Sequence, residues 1–217
     1  MCGRFSLSSN LEELQNEFSN EISGNFPAKY NISPGQSPVV ISLKKNNFYL
    51  NQMQWGFKVP KLGKLVINAR SETINEKPLF KNLLLQNRCL IPANSWFEWD
   101  NEKRPYLIKH KKNDIIAFAG LQRIEENQES SFVIITTDAE KDLKKIHKRT
   151  PLVINKENFL FWLGNDYEKA CNVLKPMNAN EYTFHPVSPK VGKISNDNIS
   201  VTEKHYEKES QLNLFSN

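Results

Sequence analysis

Arg88-Cys89-Leu90-Ile91-Pro92-Ala93-Asn94-Ser95-Trp96-Phe97-Glu98-Trp99 holds two short strand-like runs, Cys89-Leu90-Ile91 and Ser95-Trp96-Phe97, and ends on an acid enclosed by aromatic residues. The same kind of run recurs at Leu65-Val66-Ile67, Tyr106-Leu107-Ile108, Ile115-Ile116-Ala117-Phe118 and Phe132-Val133-Ile134-Ile135. Short β-branched and aromatic runs bounded by turn residues read as strands. Pro38-Val39-Val40-Ile41-Ser42-Leu43 and Phe48-Tyr49-Leu50 flank a Lys-Lys-Asn-Asn turn and predict a hairpin. Helical signals are few. Ser8-Ser9-Asn10 precedes Leu11, Leu14 and Phe18 as a capped helix with one apolar face. Lys77-Pro78 opens a short helix over 79–85 with proline in its first turn. Thr137 and Glu140 form a capping-box pattern that predicts a helix over 138–147, and a last helix covers 157–163. Many strands with short helices between them specify an α+β domain built on a twisted, barrel-like, mostly antiparallel sheet.

The 217 residues fit one domain, expected over 2–201, with no internal repeat and no interdomain linker. From Thr202 the composition turns polar, so 202–217 is expected to form a flexible tail. Hydrophobic residues make up 39% and charged residues 24%, as in an ordinary globular protein. The net charge of +5 permits a polyanionic partner without demanding one. Cys2, Cys89 and Cys171 form no CxxC pair and leave an odd thiol, which argues against a disulfide framework or a structural zinc and for a reducing cytoplasm. No metal or cofactor is called for. The first residues lack an apolar signal region, and no apolar run approaches the ~18 residues of a membrane span. The expectation is a cytoplasmic monomer with no membrane partner.

The chemistry-bearing residues begin at the second position. Cys2 is small enough for Met1 to be trimmed, which would leave an N-terminal cysteine. Its α-amine (pKa ~7.7–8.0) and thiol (~8.5) would then lie on adjacent carbons, both partly reactive near neutrality. Such a 1,2-aminothiol condenses with an aldehyde, first to an imine and then to a thiazolidine. Many chains also begin Met-Cys without consequence. Asn68, Arg70 and Glu72 cluster after an apolar strand, where polar residues also serve simply as turn formers. By alternation Glu98 shares a face with Trp96, while Phe97 and Trp99 share the other. A carboxyl against rings is desolvated and its pKa rises toward values useful for acid–base work; the competing reading is a solvated glutamate on an amphipathic strand. His147 closes the predicted helix, where it acts either as a cap or as a charge-stabilising group, with Arg149 suited to a phosphate. Trp55, beside Gly56, is either a nucleobase platform at a surface edge or a core residue.

Taken in order, these segments resemble the SRAP family, the SOS-response-associated "peptidases" that process abasic sites. The resemblance rests on Met1-Cys2-Gly3-Arg4-Phe5, Tyr30-Asn31 through Pro34, Trp55-Gly56, Asn68-Ala69-Arg70 with Glu72-Thr73, and Arg88-Cys89-Leu90-Ile91-Pro92-Ala93. It continues through Phe97-Glu98-Trp99, Phe118-Ala119-Gly120-Leu121, Ile135-Thr136-Thr137-Asp138-Ala139, Ile146-His147 with Arg149 and Pro151, and His185-Pro186-Val187-Ser188. It spans residues 2 to about 198. Lys148 and Thr150 depart from the family's usual residues, and Lys148 bears on how His147 is oriented or charged.

The resemblance implies that Cys2 bonds covalently to the ring-opened sugar aldehyde of an abasic site in single-stranded DNA. It implies that Asn68 holds the N-terminal amine and thiol, Glu98 moves protons, and His147 stabilises the sugar O4′ and assists reversal. Arg4, Arg70 and Arg149 become candidates for the DNA backbone, and Trp55 and Pro34 for wedges against bases beside the lesion. Only Met1 precedes Cys2, so an ordinary aminopeptidase suffices and autoproteolysis is unnecessary. Two other classes compete: an N-terminal-nucleophile amidohydrolase, which also begins Cys-Gly but with an aliphatic residue where this chain has Arg4, and a non-covalent single-strand-binding module that tolerates loss of Cys2.

Outside the family match, Gln211-Leu212-Asn213-Leu214-Phe215 resembles the bacterial sliding-clamp-binding pentapeptide. Gln211 would hydrogen-bond in a small subsite, while Leu212, Leu214 and Phe215 supply the apolar contacts. The sliding clamp is therefore a second expected partner, one that would bring the protein to replication forks at the nucleoid.

Overall fold

The runs Arg88–Ala93 and Ser95–Trp99 are both strands, yet they belong to different sheets. Asn94 stands at the crossing. Its amide N–H donates to the Ser6 carbonyl at 2.8 Å, and its side-chain Oδ1 accepts from the Ser8 and Ser9 amides at 2.7 and 3.1 Å. The computed structural model describes residues 2–19, 23–59, 62–112, 114–124 and 129–205. The sliding-clamp-like segment, Gln211 to Phe215, lies outside these residues.

The first sheet is antiparallel throughout, in the order Tyr182–Pro186, Pro105–His110, Ser95–Trp99, Phe5–Leu7, Lys29–Ile32. The second runs Arg149–Pro151, Ser130–Asp138, Ile116–Ile124, Arg88–Ala93, Val39–Lys44, Asn47–Gln52. Two short strands, Gln54–Trp55 and Asn68–Arg70, join Ser130–Asp138 in parallel, which is where the mostly antiparallel pattern breaks. The sheets do not close into a barrel: each ordered path of strands has two ends. Among the described residues, no helix is long and apolar enough to cross a membrane.

The alternation read from Ser95–Trp99 decides the packing. Trp96 points into the main core, where it meets Phe118 and Tyr182 edge-on, while Phe97 packs with Leu107, Val187, Val191 and Val201 in a second cluster. Phe5 joins the main core against Trp55 and Phe118, with ring centroids 5.2 and 5.9 Å away. Because Phe5 pairs with Trp96, burying its ring also places Cys2 and Arg4 beside the strand that carries Glu98. The Phe97 amide closes this junction by donating to the Arg4 carbonyl at 2.9 Å.

The predicted hairpin forms from Val39–Lys44 and Asn47–Gln52, its two-residue turn supplied by Lys45 and Asn46 at φ 50° and 68°. The first helix, Leu11–Glu17, carries a reciprocal capping box between Asn10 and Glu13, and Pro78–Gln86 begins at its proline. The last predicted helix is a 3₁₀ turn, Lys156–Asn158, leading into the helix Phe159–Leu163. The helix expected over 138–147 is shorter than the sequence suggests. Thr137 and Asp138 remain in their strand, paired with Thr150 and Arg149, and only Leu143–Ile146 is helical. A ladder on a buried strand outweighs a local capping pattern, and Lys141 at φ 47° interrupts the helical path. Regular contacts continue past 201 as far as His205, whose amide donates to the Pro186 carbonyl at 2.9 Å.

Candidate active site

Glu98 extends from the first sheet into the space between the sheets and is 3% exposed. Burial raises its carboxyl pKa to about 7. The second sheet brings His147 opposite it. His147 ends the short helix Leu143–Ile146 in extended backbone, immediately before the strand Arg149–Pro151. Its Nδ1 lies 3.8 Å from Glu98 Oε2. Burial also lowers the histidine pKa, so the neutral ring predominates at pH 7.

Cys2 is fully buried. Burial raises its thiol pKa, the Glu98 charge raises it further, and a hydrogen bond from the Arg4 backbone works the other way. Asn68, on the short parallel strand of the second sheet, donates from Nδ2 to the Cys2 carbonyl at 2.9 Å. Its Oδ1 is buried and has no partner among the described residues. Three residues far apart in sequence, Asn68, Glu98 and His147, thus gather around Cys2, and two of them are titratable groups with shifted pKa values.

The cationic candidates divide. Arg70 is exposed. Arg4 is half-buried; its Nη1 donates to Asn31 Oδ1 and the Val191 carbonyl, both at 2.8 Å. Arg149 is 13% exposed and engaged by acids: both guanidinium ends meet the Glu72 carboxylate at 2.8 and 2.9 Å, and Nη1 also meets Asp138 at 2.6 Å.

The aromatic expectation needs correction. Trp55 is fully buried, stacked on Phe132 and bonded through Nε1 to the Ile67 carbonyl at 3.0 Å, so it offers no face to a base. Its backbone instead holds the turn at half-buried Pro34: the Gly35 amide donates to the Trp55 carbonyl, and the Trp55 amide to the Gln36 carbonyl, both at 2.8 Å. Burial prevails because the ring fills the space beside Phe5, a term larger than one exposed stacking face supplies.

The family model for SOS response associated peptidase (SRAP) matches residues 1–194. The chain belongs to the SRAP family. Among relatives, the abasic site processing protein YoqW of Bacillus subtilis (strain 168) is 33% identical, the alignment covering 94% of this chain and all of that one. The abasic site processing protein YedK of Escherichia coli (strain K12) is 30% identical over 94% of this chain and 99% of its own. A solved structure from Bacteroides thetaiotaomicron superposes with a TM-score of 0.80 at 21% identity, covering 94% of this chain and all of that one, which establishes likeness of fold.

In this SRAP domain, two supporting residues escaped individual assignment from the sequence. Asn31 is buried and donates from Nδ2 to the carbonyls of Val191, Lys193 and Asn196, tying the loop after Ser188 to Arg4 and the N-terminal strand. Glu72 clamps Arg149. Both lie within motifs quoted from the sequence, but their partners are distant in the chain and carry no local signal.

Proposed function

We propose that this protein recognises abasic sites in single-stranded DNA and captures them covalently through Cys2 once Met1 is removed. The α-amine of Cys2 attacks the ring-opened sugar aldehyde and releases water to give an imine. The thiol sulfur then adds to the imine carbon, and its proton passes to the nitrogen, closing a thiazolidine. A carboxyl with a pKa of about 7 is well suited to both steps, because it donates a proton to the departing water and accepts one on the reverse path. In this reading Asn68 orients the terminus, and His147 interacts with the sugar O4′ as the ring opens and closes. Arg70 and Arg4 supply phosphate contacts, and Pro34 supplies a wedge beside the lesion.

The observation that carries this reading is the pairing of buried Glu98 with His147, 3.8 Å apart, around the buried Cys2. The names of the relatives, abasic site processing proteins from bacteria and from Xenopus tropicalis, support the same lesion as substrate. The test is incubation of Met1-free protein with single-stranded DNA carrying one abasic site, followed by denaturing electrophoresis. A shifted band lost in Cys2→Ala is expected. Binding that survives loss of Cys2 without any denaturant-resistant band would instead mark a non-covalent single-strand binder.

A further inference from the structure

We propose that Glu72 is a positioning residue for His147, acting through Arg149. The inference rests on the reading of His147 as a group that interacts with the substrate oxygen and changes protonation state there.

Glu72 sits in the 3₁₀ turn Ser71–Thr73 that follows the strand bearing Asn68. Its two carboxylate oxygens meet the two terminal nitrogens of Arg149 as a bidentate pair, the geometry that confers most directional precision on an ion pair. Arg149 Nη2 also donates to the Thr136 carbonyl at 2.5 Å, and Nη1 to Asp138 at 2.6 Å. Burial opposes ionisation of Glu72, but its bonds to Arg149 outweigh that and hold the carboxyl below its ordinary range. The guanidinium is therefore fixed on three sides.

The anchored guanidinium and the ladder pairing with Asp138 together hold the backbone of residue 149, which is the partner of the histidine ring. The Arg149 amide donates to His147 Nδ1 at 3.0 Å, and the Arg149 carbonyl lies 3.1 Å from the same nitrogen. A neutral ring with its proton on Nε2 is held by the amide. A ring protonated at Nδ1 is held by the carbonyl. Which nitrogen carries the proton is set by the bond the other one makes. Residue 149 thus offers His147 a partner in each state, and the ring can gain or lose a proton without turning. Among the described residues, the charged groups around the ring are Glu98, Arg149 and Lys148, and the charge of the chain's N-terminus also acts on it. Glu72 also ties together two segments that each carry a site residue, Asn68 upstream of Glu72 and His147 beside Arg149.

The test is nitrogen-15 NMR of the histidine side chains in DNA-free protein across pH, for wild type, Glu72→Gln and Glu72→Ala, alongside the pH profile of crosslinking. Glu72→Gln keeps the side-chain volume and one acceptor, which guards against simple misfolding; the melting temperature of each variant is read in parallel. The wild-type ring is expected as the Nε2–H tautomer at high pH. Glu72→Ala should show a mixture of tautomers and a His147 titration moved further down, because the Arg149 carbonyl bond that favours the charged ring is loosened and the Arg149 charge loses a carboxylate, with Glu72→Gln intermediate. Crosslinking should slow by about tenfold, since modest misplacement of a reacting group costs up to ~10²-fold. An unchanged tautomer and pH profile in folded Glu72→Ala would overturn the proposal. The NMR arm needs no DNA, so wild-type protein that fails to crosslink would refute the proposed function and leave this measurement decisive on its own.

Discussion

Glu98 Oε2, on a strand of the first sheet, and His147 Nδ1, just ahead of a strand of the second, face each other at 3.8 Å, their side chains 4% and 32% exposed. Burial moves the two pKa values in opposite directions, the acid up to about 7 and the base down from its ordinary value.

The first prediction follows from that acid. Its folded pKa, about 7, lies above the ordinary 4.5, so the native state holds a proton that the unfolded chain releases. Stability should be greatest below about pH 4.5 as far as this group is concerned and should fall as pH rises to about 7. The loss is on the order of 3 kcal/mol. Glu98→Gln should remove this component, and melting curves of both proteins across the window provide the comparison. Crosslinking by the variant should slow by roughly 10²-fold or more; a rate equal to wild type would remove Glu98 from the chemistry.

A free terminus is the second requirement. Protein that retains Met1, or carries an N-terminal tag, lacks the α-amine of Cys2 and should give no thiazolidine. Cys2→Ser should form a weaker, reversible adduct through its amine. Because the Cys2 thiol is fully buried with a raised pKa, a small alkylating reagent should also reach it far more slowly in folded protein than after unfolding. Normal crosslinking by a tagged protein would exclude the mechanism.

The arginines should separate under salt titration. Arg70 is exposed, whereas Arg149 is already matched by Glu72 and Asp138. Arg70→Ala should weaken single-strand binding and reduce the salt slope by roughly 0.7, the value for one lost phosphate contact. Arg149→Ala should change the slope less and act mainly on crosslinking rate through His147. Equal slope changes in the two variants would mean that Arg149 leaves its carboxylates to bind phosphate.

Gly120 tests the packing of the second sheet. A Cβ there would lie 2.3 Å from Ile91 Cδ1, 2.9 Å from Cys89 Sγ and 3.0 Å from the Val133 carbonyl oxygen. The isoleucine end can swing, but the backbone oxygen cannot. Gly120→Ala should destabilise by about 1–3 kcal/mol, read as a lower denaturant midpoint with an unchanged slope.

The peptide Ser210 to Asn217 is expected to bind the sliding clamp of the same organism with affinity on the order of micromolar. Leu214→Ala with Phe215→Ala should abolish that binding and leave crosslinking by Cys2 intact. Calorimetry that shows no heat at high micromolar peptide would dismiss the partner.

Much of this protein is legible in its order of residues, because the relevant forces are local. Alternation along Ser95–Trp99 separates Trp96 from Phe97, and the two rings do lie in different clusters, Trp96 in the main core and Phe97 in the second. Lys45 and Asn46 can reach positive φ, and Asn10 can cap its own helix, without reference to the rest of the chain. The motifs running from Cys2 to Ser188 suffice to name the family. Local pattern says which face a residue occupies but not what lies across from it. That Arg88–Ala93 and Ser95–Trp99 would separate into two sheets, that Trp55 would fill the core beside Phe5, that Thr137 would stay in a strand, and that Glu72 would close on Arg149 were all decided by tertiary structure. Each depends on burial or charge pairing between segments distant in the chain, and such contacts form only when the two sheets come together.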